Sequence, residues 1–89
     1  MEEQQTLFCG DRMRELRARI GISQAALAEK VNVSRVQITN IENGISEPSL
    51  SSLIAIAVAL HTTTDFLLAV ERYKHEKPKK VMPLPFDNL

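Results

Sequence analysis

Residues 23–44 read SQAALAEKVNVSRVQITNIENG, and this stretch decides how the chain is understood. In its first half Ala25, Leu27, Ala28 and Val31 recur at spacings of three and four, which puts them on one helical face. In its second half Val33, Ile38 and Ile41 form an apolar stripe, while Arg35, Val36, Thr39 and Asn40 point the other way. Ser23 and Ser34 stand where helix N-caps belong, each able to accept from backbone N–H groups that a helix start leaves unpaired. Asn32 lies between the two patterns, where the chain must reverse and a residue that tolerates the left-handed conformation is needed.

Outward from this stretch, composition sets the frame. Eighty-nine residues suit one small domain with no room for a second core. The aromatics are Phe8, Phe66, Tyr73 and Phe86, with no tryptophan, so a core must be built from small aliphatics on helices. A single cysteine, Cys9, excludes an intramolecular disulfide and a cysteine-based metal cluster; its expected role is a small apolar residue near the start of the first helix. No basic-then-apolar leader follows the opening Met-Glu-Glu. The uncharged run Leu53 to Leu60 is too short to span a bilayer, and the expected setting is a reducing cytoplasm. His61 and His75 lack companions at ligand spacing, and no Gly-rich phosphate loop or nucleophile elbow is present. A chain this small is not expected to enclose a substrate pocket. No enzyme activity, cofactor or metal is expected.

The chain divides into a flexible N-terminus (1–6), a helical domain (7–73) and a basic, proline-containing tail (74–89). A helix over Asp11–Arg19 is expected, started by Gly10 or Asp11 and ended by Gly21, with Met13, Leu16 and Ile20 inward and Leu7 or Phe8 stapling its start. After the breaker-rich loop 43–48, Ser49 caps a helix running to about Leu60, with Leu50, Leu53, Ile54, Ala57 and Leu60 as its buried side. Leu50 to Leu60 holds no charge; a helix apolar on most sides is enclosed on most sides, so its spare face is expected to meet another chain. Thr63 caps a last helix reaching Glu71 or Tyr73. In the tail, Pro78, Pro83 and Pro85 forbid a regular helix. It is either loose, or folds over a dimer partner with Val81, Met82, Leu84 and Phe86 in a groove, or docks another protein. Net charge is zero, distributed as −2 over 1–9, −1 over 10–71 and +3 over 72–89, so overall charge does not argue for nucleic acid.

Two short helices, a tight turn and a polar outer face on the second describe a helix-turn-helix. The series Ser23-Gln24, Leu27-Ala28, Val33-Ser34, Ile38, Ile41-Glu42 and Asn43-Gly44 resembles the helix-turn-helix of the phage Cro and repressor family, also called the xenobiotic-response-element type. The resemblance covers roughly residues 7–70. It implies an all-α, compact five-helix, lambda-repressor-like DNA-binding domain, with its helix-turn-helix at the second and third helices. The implied function is sequence-specific regulation of transcription, more often repression, by a homodimer on a palindromic operator in double-stranded DNA. Two rival readings are an antitoxin that represses its own operon and holds a toxin with its tail, and an adaptor using the same fold to bridge proteins.

A recognition helix places side chains near its N-terminus against base edges in the major groove. The base-reading candidates are Arg35, Val36, Gln37, Thr39 and Asn40: arginine suits guanine, Asn40 or Gln37 suits adenine, and Val36 or the Thr39 methyl suits a thymine methyl. The resemblance assigns phosphate contacts to Gln24, Asn43 and Gly44, with Ser34 beside them. It also implies an ion pair between Arg17 and Glu42. Ala55, Val58, Phe66 and Val70 are the candidate dimer interface. Four positions depart from the family pattern. His61 stands where glycine is preferred, Ala55 and Val58 replace polar residues, and Ile45 replaces a frequent lysine. In addition, Glu47 brings a negative charge to a loop expected to face phosphate.

Overall fold

Serine and threonine hydroxyls start four of the helices. The side chains of Ser23, Ser34, Ser49 and Thr63 accept from the backbone N–H of Ala26, Gln37, Ser52 and Phe66, at 3.0, 3.0, 3.1 and 3.0 Å. Each such cap stabilises its helix by about 1 kcal/mol. The computed structural model describes residues 6–74; the expectations for residues 1–5 and for the tail from 75 onward lie outside the described residues. In order, the helices are α1 (Gly10–Ile20), α2 (Gln24–Val31), α3 (Arg35–Glu42), α4 (Leu50–Ala59), α5 (Thr64–Leu67) and α6 (Glu71–Lys74). No strand occurs among the described residues, so the fold is all-α.

Left-handed residues end the helices. Gly21 (φ 82°) and Asn32 (φ 61°) follow α1 and α2. Ile22 N–H then bonds back to the Arg17 carbonyl and Val33 N–H to that of Ala28, at 3.1 and 3.0 Å, satisfying carbonyls that a helix end would leave open. His61 (φ 57°) does the same after α4, where Thr62 N–H reaches the Ala57 carbonyl at 2.9 Å. The expected last helix is two pieces. Ala69 adopts φ 52° between them and Val70 N–H bonds the Asp65 carbonyl at 3.1 Å.

The innermost side chains are Met13, Leu27, Ile38, Ile56, Leu60 and Leu67, contributed by α1, α2, α3, α4, the residue after α4, and α5. Phe8, rather than the exposed Leu7, closes the core ahead of α1. Three inward assignments do not hold. Ile20 is exposed at the overhanging last turn of α1. On α4 the buried side is Leu53, Ile56, Ala57 and Leu60, leaving Leu50 and Ile54 exposed at 73% and 50%. An uncharged helix offers no polar side from which its phase can be set.

One charge sits inside. Glu42, the last residue of α3, is 3% exposed. Its carboxylate accepts from Arg17 Nε at 2.6 Å, Arg17 Nη2 at 3.2 Å and Gln24 Nε2 at 3.0 Å, with Arg14 Nε at 3.6 Å. Arg14 and Arg17 come from α1 and Gln24 from α2, so three helices meet at one carboxylate. Burial pushes this carboxyl up, but the hydrogen bonds from Arg17 and Gln24 and the charges of Arg17 and Arg14 outweigh it and hold the group below the ordinary glutamate range. The same crossing explains Gly10: a methyl there would overlap the Glu42 carbonyl and lie 2.7 Å from that of Ile41. At the far side of α1, the Arg12 guanidinium pairs with Glu71, donates to the Phe66 carbonyl at 2.9 Å and covers the Phe66 ring at 4.3 Å. This contact ties α5 and α6 to α1.

Gly10→Ala is expected to destabilise the fold by about 1–3 kcal/mol through overpacking, read as a lower urea midpoint. Glu42→Gln leaves the half-buried Arg17 without its counter-charge and is expected to cost about 2–3 kcal/mol at neutral pH. Because the folded-state pKa of Glu42 lies below 4.5, its contribution is present above that value and lost as pH falls through the folded pKa. Urea midpoints measured from neutral to acid pH should therefore drop more for the wild type than for Glu42→Gln.

Candidate nucleic-acid interface

The helix-turn-helix is electropositive where its two helices begin. Asp11, Asp65 and Glu71 sit in the first turns of α1, α5 and α6, whereas α2 and α3, like α4, have no acid there. At α3 the first residue is Arg35, a cation placed against the positive end of the helix dipole. Such a placement is locally unfavourable by a few tenths of a kcal/mol. Ser23 and Ser34 satisfy one N–H each; those of Gln24, Ala25, Arg35 and Val36 have no acceptor among the described residues. Uncompensated helix starts of this kind bind anions, phosphate included.

On the outer side of α3 the five base-reading candidates fall into two groups. Val36 is at the crest, 64% exposed. Arg35 is exposed and has no carboxylate partner among the described residues. Half-buried Asn40 uses its backbone carbonyl to hold Ile45 N–H at 2.9 Å and Ser46 N–H at 3.3 Å, and its side chain is uncommitted. The other two are engaged within the protein. Gln37 Oε1 accepts from Ser34 N–H at 3.2 Å, closing a reciprocal capping box. Thr39 donates its hydroxyl to Gln24 Oε1 at 3.0 Å, with the Arg35 carbonyl at 3.1 Å. Arg35, Val36 and Asn40 remain free to meet a base, and exposed Gln37 keeps its side-chain N–H₂ unengaged.

The phosphate candidates divide similarly. Gln24 has its amide oxygen held by Thr39 and one amide N–H by Glu42. Ser34 serves as the cap of α3. In the loop after α3, Asn43 N–H bonds the Thr39 carbonyl and Gly44 N–H that of Ile41, at 3.0 and 3.2 Å. These backbone donors are turned inward, so what Asn43 offers outward is its side-chain N–H₂. Its amide oxygen is taken by Arg14 Nη2 at 3.0 Å. Arg14 was absent from the sequence-based site, although its spacing of three from Arg17 on a helix puts both within reach of one carboxylate. Glu47 does not stand open to phosphate either. Its carboxylate accepts from Leu7 N–H at 2.7 Å and Phe8 N–H at 3.1 Å, clamping the segment ahead of α1.

The four candidates for a dimer interface also separate. Val58 is 70% exposed, whereas Ala55 and Val70 are half-buried and the Phe66 ring carries Arg12. Val58 continues the exposed line through Leu50 and Ile54 at intervals of four, one stripe along α4. An open recess of about 360 Å³ lies between the segment 6–11, Glu42–Gly44 and Leu68, Arg72 and Tyr73. Among the described residues no group of three or more His, Cys, Asp or Glu side chains could hold a metal ion, and no helix is long and apolar enough to cross a membrane.

A sequence profile described as helix-turn-helix matches residues 13–67. Repressor protein C2 of Salmonella phage P22 is 40% identical over 63 residues, 71% of this chain and 29% of that protein. The HTH-type transcriptional regulator ImmR of Bacillus subtilis (strain 168) is 31% identical over 71 residues, 80% of this chain and 53% of its own length. The chain thus spans about a third to a half of these curated relatives. Among solved structures, the P22 c2 repressor in complex with synthetic operator 9T aligns at a TM-score of 0.65 and 38% identity, covering 72% of this chain and 94% of that one. The motif, its geometry and these likenesses agree: the chain belongs to the helix-turn-helix family of the Cro and phage-repressor type.

Proposed function

We propose that this domain is a sequence-specific double-stranded-DNA binder that regulates transcription, as a repressor, by occupying a palindromic operator as a homodimer. The observation that carries the reading is the outer face of α3, where Arg35, Val36 and Asn40 stand without protein partners beside a helix start that lacks any acid. A guanidinium, a branched methyl pair and a carboxamide are the groups that recognise guanine, the thymine methyl and adenine. The uncompensated starts of α2 and α3 supply anion sites for the phosphates on either side. A relative of this chain, the P22 c2 repressor, was solved in complex with a synthetic operator, which supports the same use of the fold here.

The apolar face of α4 supports the homodimer. Leu50, Ile54 and Val58 form an exposed apolar line on a helix with no charge between Leu50 and Leu60. Two copies meeting through this line would bury it and present two α3 helices with two-fold symmetry, as a palindrome requires. Phe66, Ala55 and Val70 then stand behind or beside the contact rather than at its centre.

Two outcomes are expected. In a selection from random duplexes the wild type should enrich a palindrome, and Arg35→Ala/Asn40→Ala should lose that preference by roughly 1–3 kcal/mol per contact while keeping its helical spectrum. Survival of the same preferred site in the double variant would reassign the reading residues. In sedimentation at high micromolar concentration the wild type should be a dimer and Val58→Asp a folded monomer; a wild type that stays monomeric there sinks the two-fold arrangement.

A further inference from the structure

We propose that Thr39, although it lies on α3, is a positioning residue and reads no base: its hydroxyl fixes the Gln24 side chain so that the amide N–H₂ serves as donor to a DNA phosphate. The inference rests on the proposed DNA-binding reading and assigns a role inside it.

The chemistry at Gln24 fixes the amide orientation. Glu42 is ionised and can only accept, so the group 3.0 Å from its Oε1 must be the Gln24 N–H₂. The Gln24 oxygen therefore faces Thr39 Oγ1 at 3.0 Å, and there the threonine must donate. Thr39 has one hydroxyl proton, with the Arg35 carbonyl at 3.1 Å as its alternative acceptor. The relay runs from the buried carboxylate through the amide to the hydroxyl, linking the end of α3, the start of α2 and the middle of α3. One Gln24 N–H is taken by Glu42; the second has no acceptor among the described residues. It sits at the first residue of α2, beside the unpaired backbone N–H groups of Gln24 and Ala25.

Consequences follow for binding. Glu42 decides which end of the amide is nitrogen, but one hydrogen bond leaves the side chain free to swing about it. The second bond, from Thr39 to the oxygen, pins the amide plane, so the remaining N–H keeps one direction and binding does not impose that rotamer loss. Because a phosphate carries no sequence information, this contribution raises affinity equally for operator and unrelated duplex. A base-reading methyl would instead change preference at one position. The two roles are carried by different atoms of the same side chain, so two substitutions separate them.

Thr39→Val keeps the methyl and removes the hydroxyl; Thr39→Ser keeps the hydroxyl and removes the methyl. Both would be compared with wild type in random-duplex selection, in titrations on the selected site and on an unrelated duplex, and in thermal melting. The expected result is unchanged base preference in both variants. Thr39→Val should bind both duplexes about three- to ten-fold more weakly, and Thr39→Ser should match wild type. A changed preference at any base position in Thr39→Ser overturns the proposal, as does undiminished binding by Thr39→Val. If Thr39→Val does not fold, Thr39→Ser still decides: retained preference and affinity support the hydroxyl role, and loss of either refutes it. A wild type that enriches no sequence and binds no duplex removes the DNA reading itself, and this inference with it.

Discussion

A charge buried at the end of α3 constrains the rest of the domain. Glu42 is almost without solvent, and an ionised carboxylate there must be surrounded by donors. Arg17 and Arg14 bring α1 to it, and Gln24 brings the start of α2. Replacing such a buried pair by well-packed apolar residues can be neutral or stabilising. What an apolar contact lacks is direction. The forked guanidinium of Arg17 meets both carboxylate oxygens, and that geometry admits one crossing of α1 over α3. The close approach at Gly10 belongs to the same crossing: only a residue without a side chain lets the start of α1 lie on the Glu42 carbonyl. Angle, register and the glycine are aspects of one constraint.

The constraint also sorts the surface of α3. This eight-residue helix gives Ile38, Ile41 and Glu42 to the interior, Thr39 to Gln24 and Gln37 to its own cap. What remains is Arg35, Val36 and Asn40. Committed side chains lose no freedom when a partner arrives, because they have already lost it. The loop after α3 follows the same logic: its N–H groups close back on α3, and Arg14 holds the Asn43 oxygen so that the N–H₂ faces out. A rigid frame therefore surrounds a small set of adaptable groups.

Much of this frame was legible in the sequence because caps and reversals are local. Ser23, Ser34, Ser49 and Thr63 stand directly before apolar periodic runs, and Gly21 and Asn32 stand where the left-handed turn is needed. The Ser34-x-x-Gln37 spacing was equally visible as a capping box, which commits the Gln37 amide oxygen. The phase of α4 was not legible, since a helix with no charged residue looks alike from every side. Nor was the break at Ala69, because alanine carries no turn signal; only the tertiary fold, in which Arg12 holds Glu71, accompanies it. Glu47 read as a loop charge because its partners, the N–H groups of Leu7 and Phe8, lie about forty residues away in sequence.

The zero net charge takes on a different meaning once the arginines of α1 are placed. Arg12, Arg14, Arg17 and Arg19 all have carboxylate partners, so the arginines of α1 hold the fold and leave little charge for an outside anion. A DNA binder built this way draws on few phosphate-neutralising side chains, and its affinity depends weakly on salt for the contacts of one copy. Helix starts and oriented amides must supply the remainder, and each is worth less than a free lysine at long range. If two copies join through the α4 stripe, as proposed, the second contact becomes intramolecular and multiplies the affinity of the first. On the proposed reading, the apolar line on α4 and the neutral balance of the domain are complementary features of a protein whose specificity outweighs its electrostatic pull.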